Sequence, residues 1–211
     1  MAHDEFAREF QRRFDEKMAA REHALPAARR AIRFCANAIR AIHRSEPERA
    51  RELMGQAADA IHEGLEAVRD HPDVAYAGFL QDAQKEYAEA RITEAVVDGA
   101  DIPGPDEVGV QLAPYLNGMA EAIGEARRYI LDLLRRGEVE RSEAVLTSME
   151  DLYYLLVSMD YPDAITGNLR RSTDVARSIM EKTRGDLSIS LVQRSLHDAL
   201  ERHAKDVLGK E

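Results

Sequence analysis

Apolar residues recur every three or four positions along nearly the whole chain, and no stretch alternates with the period of two that a half-buried strand requires. The pattern predicts helices throughout. The first helices cover about Asp4 to His43, where Leu25, Ala28, Ile32, Cys35, Ile39 and Ile42 make one apolar seam. Ser45 ahead of Glu46, Pro47 and Glu48 reads as an N-cap with an early helical proline, opening a second helix that ends near Asp70. After the break at His71, Pro72 and Asp73, a third long helix carries Tyr76, Leu80, Ala83, Tyr87 and Ala90 on one face to about Val97. Residues 98–105, rich in aspartate, glycine and proline, form the clearest loop. A fourth helix, from about Leu112 to Arg136, buries Leu116, Met119, Ile123, Ile130 and Leu133; Pro114 fits its first turn and Gly137 stops it. Glu138 to Met159 forms another. Thr166 and Asp186 read as N-caps of the last two helices, with Gly185 as the stop between them. The expectation is an all-α fold, a single-domain bundle of six or seven helices spanning residues 1–211.

Bulk properties narrow the function. A chain of 211 residues can bury one real core, and its composition is neither disulfide-rich nor disordered. The amino-terminal residues are charged, with no apolar run long enough for a signal peptide or a membrane span, so a cytoplasmic protein with no membrane partner is expected. Cys35 is the only cysteine, which excludes an internal disulfide and a cysteine-built zinc site; its place on the apolar seam marks it as core. A net charge of −10 argues against coating nucleic acid with the whole surface. The charge is segregated, however. Eight arginines face three glutamates between Arg21 and Arg51, whereas eight acids face only Lys85 and Arg91 between Gln81 and Glu107. One segment suits phosphates and the other a metal ion.

The candidate chemistry is carried by two helical carboxylate pairs, Glu86 with Glu89 and Glu121 with Glu125. Residues three or four apart share a helix face, so each pair presents two carboxylates on one side, and two such helices packed antiparallel bring all four together. By default a glutamate pair is only a solvated face. Two features point elsewhere: Glu86 and Glu89 share their face with Phe79, Thr93 and Val96, and Glu121 and Glu125 lie beside Gly118 and Gly124, which weaken a helix unless something must come close. The competing expectation is that Arg128 neutralises Glu125 in a surface ion pair. An all-oxygen set suits Mg²⁺ or Mn²⁺ rather than zinc, which implies metal-assisted phosphodiester hydrolysis. Arg29, Arg33, Arg40 and Arg44 form a second constellation, a stripe able to track phosphates, which His43 can join; the alternative is a solvated face paired to glutamates of a neighbouring helix. Arg170 and Arg171 are adjacent and point in different directions, as at an interface or salt bridge. The remaining histidines have no partner at metal or acid/base spacing, and no Ser-His-Asp set, Cys-His set or glycine-rich phosphate loop occurs.

The sequence around the carboxylates resembles the translin and TRAX (translin-associated factor X) family, especially its archaeal-type TRAX-like members. The likeness rests on residues 115–137 (YLNGMAEAIGEARRYILDLLRRG), on KEYAEA at 85–90, on AIRAIHR at 38–44, and on ITGNLRR at 165–171 through EKTRGD at 181–186, so it spans roughly residues 20 to 205. Each motif alone is weak; their joint coverage is what carries weight. The resemblance implies that Glu86, Glu89, Glu121 and Glu125 stand at the acidic positions of TRAX-like nuclease subunits, with Glu121 where aspartate is common, a ligand longer by one methylene. It also implies a translin-like helical fold, an endonucleolytic cut in single-stranded RNA, and a hollow homo-octamer with acidic sites and basic stripes facing the cavity. Cleavage of single-stranded DNA is chemically allowed, since the mechanism does not need the 2′-hydroxyl. The alternatives are a translin-like nucleic-acid-binding scaffold without turnover and, from another class, an all-α nucleotide pyrophosphohydrolase, whose acidic pairs usually lie closer together than the 31 residues between Glu89 and Glu121.

Overall fold

A computed structural model describes the backbone of residues 2–208 and the side chains of residues 3–205. The described residues form nine helices and no strand: α1 (Ala2–His43), α2 (Pro47–Ala67), α3 (Pro72–Ala75), α4 (Phe79–Asp98), α5 (Pro105–Val108), α6 (Leu112–Arg135), α7 (Val139–Val157), α8 (Asp163–Thr166) and α9 (Leu169–Leu208). Three of these are single turns, so six long helices make the bundle. α1 packs along α2 and α4, α4 along α6, and α6 along α7 and α9. The central hairpin α4–α6 is the most buried part, with Leu80, Ile92, Met119, Ile123, Ile130 and Leu133 almost fully enclosed. Its ends are tied: the Tyr115 hydroxyl donates to the Pro103 carbonyl at 2.7 Å, and the Gln111 amide donates to Gln84 Oε1 at 2.8 Å. No helix among the described residues is long and apolar enough to cross a membrane.

Several expected boundaries move, each for a local reason. The first helices are one, because Pro26 sits on the exposed side of α1, where its missing N–H and the carbonyl it leaves free face water. Ser45 does not cap α2. It takes a left-handed conformation (φ 59°) that closes α1, and Glu46 occupies the N-cap position without a side-chain bond. Tyr76 is 68% exposed, since α4 begins only at Phe79. Thr166 and Asp186 are not N-caps of long helices. Thr166 ends α8, and Gly167 and Asn168, both at positive φ, turn the chain into α9. α9 then runs unbroken through Gly185. One glycine costs a helix only about 1 kcal/mol, and anchors on both sides outweigh it: Thr183 and Leu187 are buried, and Arg127 binds Asp186 at 2.8 Å.

Candidate metal centre and nucleic-acid interface

Gly118 decides how closely α4 and α6 approach. A Cβ at this position would stand 2.5 Å from the Lys85 carbonyl oxygen and 2.9 Å from the Glu89 nitrogen, so only glycine allows the two backbones to meet at this level. Gly124 plays no such part, its nearest neighbour being Ile179 Cδ1 at an ordinary 3.8 Å. The carboxylates flank the glycine contact, one turn of α4 on one side and the next turn of α6 on the other. As a result Glu86, Glu89 and Glu121 each offer an oxygen within 4.8 Å of the other two.

These three do not share one environment. Glu89 is buried, and its pKa is pushed up to about 8, first by desolvation and then by the charges of Glu86, Glu121 and Glu125. Burial likewise raises Glu86, opposed by Lys85. Lys85 is the only cation bonded inside the cluster among the described residues: its Nζ lies 2.7 Å from Glu121 Oε1 and 3.4 Å from Glu86 Oε1. Burial disfavours its charge, yet Glu121 and Glu86 together hold its pKa above the ordinary value.

Glu125 stands apart from the three. Its Oε2 lies 2.5 Å from Nε2 of His43, whose side chain is 4% exposed, and the hydrogen bond from His43 keeps the Glu125 carboxyl below its usual range against the cost of burial. Arg128 is a weaker partner at 3.7 Å. His43 is therefore not on the arginine stripe: it is the last residue of α1, turned inward to α6, and its Nδ1 is buried without a partner.

The donor set fits a hard divalent cation. Three carboxylate oxygens match the oxygen preference of Mg²⁺ or Mn²⁺, and a spread of at most 4.8 Å is close to the roughly 4.2 Å separating opposite ligands of Mg²⁺. Three carboxyl groups face the single ammonium of Lys85, so the set has more acidic groups than its own cation can pair.

The stripe of Arg29, Arg33, Arg40 and Arg44 is exposed along α1. It is not neutralised by the neighbouring helix: the arginine that takes Glu63 of α2 is Arg30, at 2.5 Å, whereas Arg40 binds Asn37. Three side chains carry more than the sequence pattern credits to them. Lys85 looks like a neighbour of Glu86, and only the α4–α6 approach shows its reach to Glu121. His43 has no spacing signal toward Glu125. Arg171 lines a cleft of about 410 Å³ together with Glu89, Glu121, Ser172, Val175 and Ile179; from sequence it is one of two indistinguishable arginines.

Comparison with known proteins places this arrangement among relatives. No family model matches the chain. It is 31% identical over 188 residues to uncharacterized protein MJ0175 of Methanocaldococcus jannaschii, covering 88% of this chain and 83% of that one. Among solved structures, AfC3PO in complex with duplex RNA is 31% identical, with a TM-score of 0.80 over 89% of this chain and 97% of its own. AfC3PO alone superposes equally well. Apo-NeC3PO has a TM-score of 0.74 over 89% of this chain and 96% of its own, and at 20% identity it is similar in fold alone.

Proposed function

The chain belongs to the translin/TRAX family, as its likeness to AfC3PO shows, and on that premise we propose that it is a metal-dependent endoribonuclease acting on single-stranded RNA in the cytoplasm. The observation that carries this reading is the meeting of Glu86, Glu89 and Glu121 within 4.8 Å in a partly buried seam. Burying like charges is unfavourable unless a cation shares them, and the Gly118 contact brings the helices together at just this level. Glu86, Glu89 and Glu121 would hold Mg²⁺ or Mn²⁺, with Glu125 behind them. An ion held there supplies Lewis acidity toward a phosphate and a readily deprotonated water.

The chain's own residues divide the remaining work. Glu89, whose pKa burial and the neighbouring carboxylates raise in the metal-free seam, gains most from a cation that offsets those charges, while the hydrogen bond to His43 holds the Glu125 carboxyl below its usual range. The arginine stripe of α1 tracks phosphates, and its exposed guanidiniums support RNA binding despite the overall negative charge. The RNA complex of AfC3PO supports the ligand class. Assembly into a homo-octameric shell is supported by apolar side chains exposed along both terminal helices, Phe6, Phe10, Phe14 and Met18 on α1 and Ile189, Val192, Leu196 and Leu200 on α9. A second reading, a binding scaffold without turnover, is favoured by Lys85, which supplies the cluster with a countercharge of its own.

One experiment separates the two. The purified protein is incubated with labelled single-stranded and duplex RNA, in Mg²⁺ and then in EDTA. Cleavage of the single strand that requires Mg²⁺ and is lost in Glu121→Gln is the expected outcome; RNA retained intact in Mg²⁺ establishes the scaffold instead.

A further inference from the structure

The cleft beside the carboxylates has two unlike walls. Glu89 and Glu121 form one, and the start of α9 forms the other, with Arg171 the only cation among the lining residues. Arg171 is exposed and, among the described residues, forms no ion pair, whereas Arg170 is turned away to Asp160 at 3.4 Å. The backbone beside Arg171 is nevertheless tied down. The next residue, Ser172, donates its hydroxyl to Asn117 Oδ1 at 2.8 Å, and Asn117 Nδ2 donates to the carbonyls of Thr166 at 2.8 Å and Ala113 at 2.9 Å. Asn117 is four residues before Glu121 and so on the same face of α6. The Asn117 network therefore ties the start of α9, which carries Arg171, to the face of α6 that carries Glu121.

An unpaired guanidinium facing carboxylates across open space calls for a ligand that satisfies both. It must be anionic toward Arg171 and must meet the carboxylate wall through a cation. A phosphodiester does this with its two non-bridging oxygens. The number of cations also restricts the choice: Val175 and Ile179 complete the arginine's wall with apolar surface, and Lys85 is engaged by Glu121 and Glu86. Among the described residues Arg171 is thus the one unengaged cation in the cleft lining, placed to take one oxygen of a diester. We propose that Arg171 binds a non-bridging oxygen of the phosphodiester presented to Glu86, Glu89 and Glu121, and so positions it against the carboxylates. This rests on the nuclease reading of the same cleft.

The test compares Arg171→Met, which keeps the stem and removes the charge, with Arg171→Lys and Arg170→Met in the full chain. Arg171→Met is expected to lower kcat/KM for labelled single-stranded RNA roughly 10- to 100-fold, as loss of a charge-assisted bond does. Arg171→Lys recovers part of it, since a point charge lacks the fork. Arg170→Met stays within about twofold of wild type, as expected for an exposed pair. Mn²⁺ affinity, measured by calorimetry without RNA, and melting temperature stay at wild-type values throughout. Wild-type kcat/KM in Arg171→Met overturns the proposal, as does a loss matched by a fall in Mn²⁺ affinity or melting temperature. Failure of the nuclease reading looks different, since the wild-type protein would then leave RNA intact in Mg²⁺. Arg171 is still decided in that case by RNA binding in a Glu121→Gln background, where Arg171→Met must weaken affinity, and equal affinities sink the idea.

Discussion

The carboxylate seam between α4 and α6 and the arginine face of α1 both gather like charges, yet they do so under opposite physical conditions. In the seam, burial makes each charge felt by the next: Glu89 responds to Glu86, Glu121 and Glu125, and its pKa moves to about 8. On α1 the arginines are exposed and screened by water, so their proximity costs little. A buried cluster therefore carries a mark of purpose that an exposed one lacks. The seam keeps an arrangement that disfavours folding, and the arginine stripe keeps one to which folding is indifferent.

Replacing the seam's charges should produce the largest effect. Outer-shell partners of a metal typically contribute ~10- to 100-fold in activity, and ligands themselves more. Glu86→Gln, Glu89→Gln and Glu121→Gln are each expected to lower RNA hydrolysis by more than ~100-fold, and Glu125→Gln to lower it severely, with oligomer size and RNA binding retained. Wild-type rates in all four at saturating Mg²⁺ would remove the seam from the chemistry and leave it no more informative than the stripe.

The geometry that creates the seam is nearly as sensitive. Gly118→Ala puts a methyl group 2.5 Å from the Lys85 carbonyl and must push α4 and α6 apart. Overpacking of this kind costs about 2–3 kcal/mol, read as a lowered urea midpoint, and the parted carboxylates should bind Mn²⁺ more weakly. A Gly124→Ala control, with only Ile179 nearby at 3.8 Å, should be neutral or slightly stabilising. If the two variants behave alike, close backbone approach is not what gathers the carboxylates.

Titration distinguishes the seam in a third way. Glu89 has a folded-state pKa of about 8 against an ordinary 4.5, so the folded state holds the proton more tightly. Its contribution to stability is complete below pH 4.5, declines as pH rises, and is lost above pH 8. In EDTA, Glu89→Gln should therefore match wild type near pH 4.5 and exceed it increasingly as pH rises, by up to roughly 5 kcal/mol above pH 8. Mg²⁺ should restore wild type at high pH by binding the ionised cluster. A difference that does not change with pH would mean that Glu89 is not held protonated in the metal-free seam.

The two regions also differ in how far the sequence discloses them. Periodicity alone locates α2, α4, α6 and α7 to within a few residues and the core positions Leu116, Met119, Ile123, Ile130 and Leu133, because burial of an apolar stripe is a local property repeated along one helix. The same locality explains the misreadings at Ser45 and Gly185, where capping and helix-breaking tendencies of a few tenths to about 1 kcal/mol yield to tertiary anchors such as Arg127–Asp186. Spacing places Glu86, Glu89 and Glu121 on facing helices, and Gly118 hints at contact. The diversion of Glu125 to His43 joins residues 82 positions apart in sequence and depends on how α1 ends against α6, for which no motif exists. The choice between Arg170 and Arg171 likewise depends on the Asn117 network.

The arginine face yields the smallest expected effect and the one that most directly tests the contrast. Arg33→Glu with Arg40→Glu should leave the fold and the melting temperature nearly unchanged, because both side chains are exposed and neither forms an ion pair among the described residues. What changes is the response to salt. Fewer phosphates neutralised means fewer counterions released, so the slope of log affinity for single-stranded RNA against log salt should flatten by about 0.7 for each phosphate that is no longer held. Affinity at moderate salt should fall roughly tenfold. Hydrolysis at saturating RNA should persist, since the seam is untouched. A drop in saturated turnover instead would mean that the stripe reaches the reacting phosphate, and the division between a binding face and a chemical seam would fail. An unchanged slope would make the stripe a solvated face after all, leaving Arg171 to provide the cationic contact in the cleft.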